Sequence, residues 1–165
     1  MRAILGAVAE VPKRPPVLVK IAPDLSRDGI ASVVEACVSL GVQGLIVGNT
    51  TITRPPGLRS PRASEAGGLS GAPLFALANT VLARAFLLAR GRLTLIGTGG
   101  VFSGADALTK IRAGASLVQL YTGFAYHGPA LIPRLKAELA NALKAAGFAR
   151  LEDAVGTAAQ ELADQ

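Results

Sequence analysis

The segment from Leu93 to Thr122 constrains the fold more tightly than any other part of the sequence. It begins with an apolar run, continues through a glycine-rich turn and a short helical pattern, and ends in a second apolar run with polar residues at its tip. Two successive strand–helix units with such tips form the phosphate site of a (β/α)8 barrel, in the loops after its seventh and eighth strands. Gly97, Gly99 and Gly100 allow a sharp turn whose bare N–H groups approach an anion. The segment therefore predicts a site for a phosphorylated ligand.

The helix after this glycine turn has its own start signal. Ser103 is a suitable N-cap residue, and Asp106 follows it by three positions. A helix that begins there directs the partial positive charge of its N-terminus toward the same anion. We therefore expect the glycine turn and this helix start to bind the phosphate together.

Four apolar runs predict the strands of a parallel sheet. They are nearly continuous rather than alternating, which is typical of strands that are covered on both faces. Helical patterns separate them, so right-handed crossovers give an α/β fold. The strands are expected at Val17–Ala22, Gly44–Thr50, Leu93–Gly97 and Leu117–Thr122, and the helices at Ser26–Leu40, Leu74–Arg90, Gly104–Ala113, Ala130–Ala146 and Leu151–Leu162. Residues 53–73, rich in proline, glycine and arginine, are expected to form a loop at the functional face.

Charge and composition argue against several classes of protein. The 17 basic and 11 acidic residues give a net charge of +6, but the basic residues are scattered and tryptophan is absent, so we expect a basic surface and no nucleic-acid site. No uncharged apolar run reaches the roughly 18 residues of a membrane span. No cluster of histidine, cysteine and acidic residues has metal-ligand spacing. Cys37, the only cysteine, lies on an apolar helical stripe and is expected to pack rather than react.

Polar residues end two of the predicted strands. Lys20 interrupts an apolar strand, and a buried ammonium there needs an anionic partner, either in a structural salt bridge or in a ligand. We favour the ligand because Asn49 and Thr50 end the next strand with similar polarity. Such amides and hydroxyls orient a flat polar ring, although both residue types also form turns and caps.

The last predicted strand ends in a second polar pair. Tyr121 and Thr122 supply donors to the phosphate in one interpretation, and in the other Tyr121 packs across the mouth of the barrel. His127, the only histidine, is expected to be a loop residue rather than a general base. The sequence indicates no catalytic triad of serine, histidine and aspartate.

Five motifs together resemble class 2 dihydroorotate dehydrogenase, the quinone-linked FMN enzyme of pyrimidine synthesis. In order along the chain they are VLVKIAPDL, GLIVGNTT, SEAGGLSGAPL, GTGGVFSGADALTKIRAGASLVQLYTG and the HGP that follows. The similarity extends from about residue 16 to residue 156. The GGLSG and AGASLVQLYTG motifs favour class 2 over the soluble class 1 enzymes. Another FMN barrel oxidoreductase is a weaker choice, because such enzymes share the phosphate loops but not all five motifs.

This resemblance assigns roles to individual residues. Lys20 corresponds to a lysine beside the flavin N1/O2 edge, where its charge stabilises the negative charge that grows as the ring accepts a hydride. Asn49 and Thr50 correspond to residues that hydrogen-bond the substrate, dihydroorotate. The remaining FMN contacts, of which the last four hold its phosphate, correspond to Gly48, Ser70, Gly71, Gly99, Gly100, Tyr121 and Thr122. The family usually has Ser or Thr where this chain has Gly48, and the lost hydroxyl weakens binding by about 1 kcal/mol.

The resemblance covers only strands five to eight of the family's barrel. This fits the 165-residue length, because a complete (β/α)8 barrel takes about 250 residues. The amino-terminal residues look like the end of a helix, so we expect residues 1–165 to be the carboxy-terminal half of an FMN-binding barrel. In the family, the serine base and the helices that bind quinone at the membrane belong to the other half. We therefore expect no catalytic residue and no membrane segment here, and no oxidation of dihydroorotate by the chain alone.

Two functions remain open from the sequence. One is half of a dihydroorotate dehydrogenase, attached peripherally to the cytoplasmic side of a membrane. The other is a non-catalytic half-barrel that binds phosphate or flavin, or an assembly partner. In either case, half a barrel leaves two open sheet edges and an uncovered apolar wall. We therefore expect the isolated chain to aggregate or to pair with another half-barrel.

Overall fold

The four strands form one parallel sheet in sequence order, as the apolar runs predict. The computed structural model describes residues 1–165. Its strands are β1 (Leu18–Ile21), β2 (Gly44–Val47), β3 (Thr94–Gly97) and β4 (Leu117–Val118), which pair in the order β1-β2-β3-β4. β1 and β4 are therefore the free edges of an open sheet. The α/β fold is confirmed, and its strand–helix succession is that of half a (β/α)8 barrel.

Helices connect and flank the strands. The first is α1 (Arg2–Ala9), and the others are α2 (Arg27–Ser39), α3 (Phe75–Ala89), α4 (Gly104–Arg112), α5 (Thr122–His127), α6 (Leu131–Ala145), α7 (Leu151–Ala154) and α8 (Ala159–Ala163). A single 3-10 turn, Ala72–Leu74, leads into α3. Ser26 caps α2 by accepting a hydrogen bond from the amide of Gly29 at 3.1 Å. Such side-chain caps satisfy amides that have no partner within the helix, and they fix where the helix begins.

The main core lies between the sheet and the two helices α2 and α3. Leu45 of β2 and Leu95 of β3 point into it, and both are almost completely buried. Cys37 of α2 belongs to the same cluster and is fully buried, and this burial raises the pKa of its thiol. A buried, protonated thiol is a poor nucleophile, so the packing role expected for Cys37 agrees with the structure.

The other face of the sheet is less well covered. The register aligns Lys20, Ile46, Ile96 and Leu117 across the four strands, on the side away from the main core. Lys20 and Leu117, at the two edges, are exposed, and Leu117 has 57% of its surface accessible. This row is the face that would point toward the interior of a complete barrel.

Helix α3 and the turn before it form one long apolar segment, although the sequence contains no uncharged apolar run of that length. The 18 residues Ala72–Ala89 have a mean hydropathy of 1.6, which is long and apolar enough to cross a membrane by length and composition alone. Half of this segment is buried inside the fold, and α3 packs against α2, α8, β2 and β3. The apolar composition therefore has a structural explanation, because α3 is a central helix of the core.

The carboxy-terminal third departs from the predicted boundaries. The strand expected to reach Thr122 ends at Val118, and Thr122 instead begins α5, which the sequence analysis placed in a loop. The single helix expected at Leu151–Leu162 is two short helices, α7 and α8, separated by a turn. Gly156 lies in that turn with a φ of +77°, a left-handed conformation that interrupts a helix.

Candidate functional site

A cleft of about 270 Å³ opens at the carboxyl ends of the strands. Ligands in parallel α/β folds bind at this end because the loops that follow the strands converge there. All of the site residues predicted from the sequence line this one cleft: Lys20, Gly48, Asn49, Thr50, Ser70, Gly71, Gly99, Gly100, Tyr121 and Thr122. Residues more than 100 positions apart in the sequence are thus brought together. Thr98, Leu120 and Gly123 also line the cleft and were not singled out in the sequence.

The glycine turn after β3 and the start of α5 present unpaired backbone donors to the cleft. The amides of Gly99, Gly100, Tyr121 and Thr122 donate to no acceptor within the protein. Gly99 and Gly100 have φ angles of +98° and +76°, in the left-handed region that favours glycine. Buried backbone amides without a partner are rare in folded proteins, and Gly100 is buried. All four residues line the same cleft, and their amides are called the anion cradle below.

Gly100 packs so closely that only glycine fits. A Cβ atom at this position would lie 2.6 Å from Cβ and 2.8 Å from Cα of Phe75, at the beginning of α3. Gly99 is held against Leu74 and Ala78 in a similar way, with a Cβ position 3.1 Å from Leu74 Cδ2. The turn is therefore fixed by contact with α3, and the direction of its amides is built into the fold.

The start of α4 does not contribute to the cradle as expected. Ser103 and Asp106 do form a capping box, in which the Asp106 carboxylate accepts from the amides of Phe102 and Ser103 at 3.0 and 2.9 Å. Glu138 of α6 accepts from the amide of Gly104 at 2.8 Å. Two carboxylates thus occupy the donors at this helix N-terminus and neutralise its partial charge. Ser103 and Asp106 do not line the cleft, whose unpaired amides belong to the glycine turn and to the start of α5; the phosphate contact of the α4 N-terminus stays a prediction.

A hydroxyl pair joins the two sides of the cleft. The Thr122 hydroxyl donates to Ser70 Oγ at 3.0 Å, across 52 positions of sequence. Gly71, next to Ser70, has a φ of +81°, and its Cβ position would lie 3.2 Å from the Thr122 methyl group. Ser70 and Gly71 are therefore held against the start of α5, at the edge of the anion cradle.

Lys20 and Asn49 lie on the β1 and β2 side of the same cleft. Lys20 is exposed and takes part in none of the ion pairs of the structure, so the structural salt bridge considered above is not formed. Oδ1 of Asn49 accepts from the amide of Thr50 at 2.9 Å, which is the turn role considered for these residues. The Asn49 NH2 group makes no hydrogen bond within the protein. An ammonium and an amide donor therefore remain available to a ligand.

The loop after β2 depends on two residues that the sequence analysis did not identify. Asp24 accepts from the Thr51 hydroxyl and from the amide of Ile52, and so fastens the start of the loop to the segment after β1. The Arg54 guanidinium donates to five backbone carbonyl groups, those of residues 52, 53, 63, 65 and 67, at 2.8 to 3.1 Å. An arginine inside a long polar loop was the available signal, because its planar head has five donors to satisfy.

The remaining candidates lie outside the site or have another role. His127 ends α5, and its ring meets Phe102 in an edge-to-face contact at 6.0 Å rather than facing the cleft. The Tyr121 side chain is 85% exposed, so it does not pack across the mouth of this half-barrel. No group of three or more histidine, cysteine or acidic residues is arranged to hold a metal ion.

Comparison with known proteins identifies the family. The family model described as dihydroorotate dehydrogenase matches residues 1–143. A dihydroorotate dehydrogenase (quinone) of Azorhizobium caulinodans is 54% identical over 164 residues, which cover 94% of this chain and 46% of the relative. The mitochondrial dihydroorotate dehydrogenase (quinone) of Oryza sativa subsp. japonica is 57% identical over 143 residues, covering 86% of this chain and 30% of the relative.

A solved structure supports the same relationship at the level of the fold. The crystal structure of a DHODH from Eimeria tenella in complex with ferulenol matches with a TM-score of 0.84 and 42% sequence identity. The match covers 90% of this chain and 39% of that one, so this chain spans less than half of the length of its relatives. Together these matches show that the chain belongs to the dihydroorotate dehydrogenase family, in its quinone-linked class 2.

Proposed function

We propose that the cleft binds FMN and that the chain is the cofactor-binding half of an enzyme that oxidises dihydroorotate to orotate with a quinone as acceptor. The anion cradle is the observation that carries this proposal. Four amides without an internal acceptor suit the three acceptor oxygens of a phosphate monoester. Because Phe75 leaves no room for a Cβ atom at position 100, the residue there is glycine and adds no side chain to the cradle.

The other end of the cleft suits the polar ring and the substrate. When bound, FMN supplies the acceptor for the hydride that leaves dihydroorotate. The Lys20 ammonium would hold the polar edge of the ring and stabilise negative charge there. The free NH2 of Asn49 and the Thr50 hydroxyl would orient a carboxylate-bearing substrate, because both lie in the same cleft as Lys20.

The chain does not contain all parts of this proposed enzyme. The serine of the cleft, Ser70, accepts from Thr122 and has no basic neighbour among its hydrogen-bond partners. We propose that the base, the remaining substrate contacts and the attachment to a quinone-containing membrane come from polypeptide outside these 165 residues. The attachment is expected to be peripheral, on the cytoplasmic side of the membrane.

Binding of FMN and riboflavin tests the proposed cofactor. Riboflavin has the same ring without the phosphate, so only FMN can use the cradle. We expect FMN to bind the purified chain at least about 100-fold more tightly, because hydrogen bonds to a charged group contribute about 1.5–3 kcal/mol each and about 2.7 kcal/mol is a hundred-fold. Quenching of flavin fluorescence measures both affinities. Inorganic phosphate should compete with FMN and not with riboflavin. Equal affinities for the two flavins would contradict the proposal.

The uncovered face of the sheet leads us to propose pairing with a second half-barrel, which for the purified chain is a second copy. Leu117 lies on this face at the β4 edge and is 57% exposed. We expect analytical ultracentrifugation to show dimers or larger species, and Leu117→Lys to raise the monomer fraction. Ile4 of α1, which is 70% exposed, provides the control, since Ile4→Lys should leave the distribution unchanged. A soluble monomer of the unmodified chain at micromolar concentration would refute the pairing.

A further inference from the structure

A lysine is buried behind the glycine turn. Lys110 of α4 has no exposed surface, and its Nζ atom makes no hydrogen bond and no ion pair. It lies on the buried stripe of α4 with Ala107 and Ile111, at a position where an apolar residue is the norm. A buried, unpartnered ammonium is costly, so its presence needs an explanation.

The contacts of Lys110 lead to the anion cradle. Its Cδ atom lies 3.2 Å from the place that a Cβ of Gly97 would occupy, at the start of the glycine turn. Its Nζ atom lies over the Phe75 ring, 5.1 Å from the centroid. Phe75 is the residue against which Gly100 packs. The Lys110 stem thus fills the space where a Gly97 side chain would lie, and its ammonium faces the ring on which the end of the turn packs.

We propose that Lys110 is a positioning residue for the anion cradle. Its side chain supports the glycine turn from the side opposite the cleft, and the ligand's phosphate balances the charge of its ammonium. The inference rests on the proposed function. The interaction with Phe75 provides part of the balance, because an aromatic face attracts a cation. A dianionic phosphate on the other side of the turn provides the remainder through a poorly screened interior.

The surroundings of Lys110 make this coupling measurable. Burial lowers the pKa of Lys110 to about 7, and the negative charge of Asp106 on the same helix partly opposes that effect. The residues that face Lys110 from α3 and β3, Phe75 and Gly97, do not titrate. α6 and α7 also pack against α4, and their carboxylates Glu138 and Asp153 accept from the amides of Gly104 and Arg150. Asp106 is the charge that acts on the Lys110 pKa. A bound phosphate favours the ammonium form, so it raises this pKa, and the ligand therefore binds with uptake of a proton above pH 7.

Flavin affinity measured from pH 6 to pH 9 tests the inference. The unmodified chain should lose affinity for FMN by up to about ten-fold for each pH unit above 7, because one proton is coupled to binding. Its affinity for riboflavin should not change over this range. Lys110→Met retains the apolar stem and should abolish the fall above pH 7. Arg112→Met removes a positive charge from the exposed side of the same helix and should preserve the fall.

A second measurement needs no variant. Calorimetric titration of the unmodified chain with FMN at pH 8, in two buffers of different ionisation enthalpy, should report uptake of a fraction of a proton per FMN bound. If FMN binds more tightly than riboflavin but Lys110→Met keeps the pH profile of the unmodified chain, the role of Lys110 is refuted and the proposed function stands. If the two flavins bind equally, or neither binds, the proposed function fails and this inference fails with it.

Discussion

Replacing Gly100 with alanine is expected to reduce FMN affinity by at least about 100-fold. An alanine at a φ of +76° costs about 1–2 kcal/mol in the left-handed region. In addition, its Cβ would lie 2.6 Å from Phe75 Cβ, closer than carbon atoms can approach. The turn must therefore move away from α3 and rotate the amides of the anion cradle. Loss of two charged hydrogen bonds of about 1.5 kcal/mol each is enough for a hundred-fold effect.

Gly91 provides a matched control for this substitution. Its φ is also +76°, but no atom lies within 4 Å of its Cβ position. Gly91→Ala therefore introduces the same backbone strain without the contact, and should destabilise the fold slightly while leaving FMN affinity unchanged. Riboflavin affinity should be similar in both variants. A Gly100→Ala variant that binds FMN as tightly as Gly91→Ala would show that the turn does not hold the phosphate.

Replacing Lys110 with methionine is expected to stabilise the ligand-free chain by up to about 5 kcal/mol below pH 7. The pKa of Lys110 falls from 10.5 in the unfolded chain to about 7 in the fold, and each unit corresponds to about 1.36 kcal/mol. The amine is charged in both states below pH 7, so the full cost of burying the charge applies there. As the pH rises from 7 to 10.5, the folded amine is neutral and the cost disappears.

Urea unfolding at several pH values measures this effect. The difference in unfolding free energy between Lys110→Met and the unmodified chain should shrink to about 2 kcal/mol at pH 9 and vanish above pH 10.5. Arg112→Met, on the same helix, should show no such pH dependence. A destabilised Lys110→Met variant would mean that the ammonium has a stabilising partner in solution. Together with the flavin titrations, urea unfolding shows whether Lys110 lowers the free energy of unfolding while it raises the affinity for FMN.

The sheet and its main helices could be predicted because their signals are local. Each strand is an apolar run and each long helix has a 3.6-residue stripe, so both are visible without tertiary information. The signals fail where an element is short. α5 has six residues and no periodicity that distinguishes it from the end of β4, where the Gln119 amide still donates to the Gly97 carbonyl of β3. Gly156 lies in the turn that separates α7 from α8, and a Cβ atom there would collide with the ring of Phe86, which is distant in sequence.

The membership of the cleft was also predictable, but its electrostatics were not. Polar residues at strand tips indicate the carboxyl end of a parallel sheet, and these tips meet in one cleft. No residue near Ser103 in the sequence indicates that Glu138, 34 positions after Gly104, accepts a hydrogen bond from the Gly104 amide at the start of α4. The burial of Lys110 likewise depends on which face of α4 meets α3. Both facts belong to helix packing, which a single sequence encodes only indirectly.

The Arg54 guanidinium connects residues 52–67 through hydrogen bonds to five of their carbonyl groups. A segment without helix or strand ordinarily has no group common to its carbonyls, whereas here one side chain binds carbonyl groups from both ends of the loop. Lysine has the charge but not the planar fork, so it is no substitute. Removal of this one arginine is thus expected to release five carbonyl groups at once, rather than to loosen the loop at a single residue.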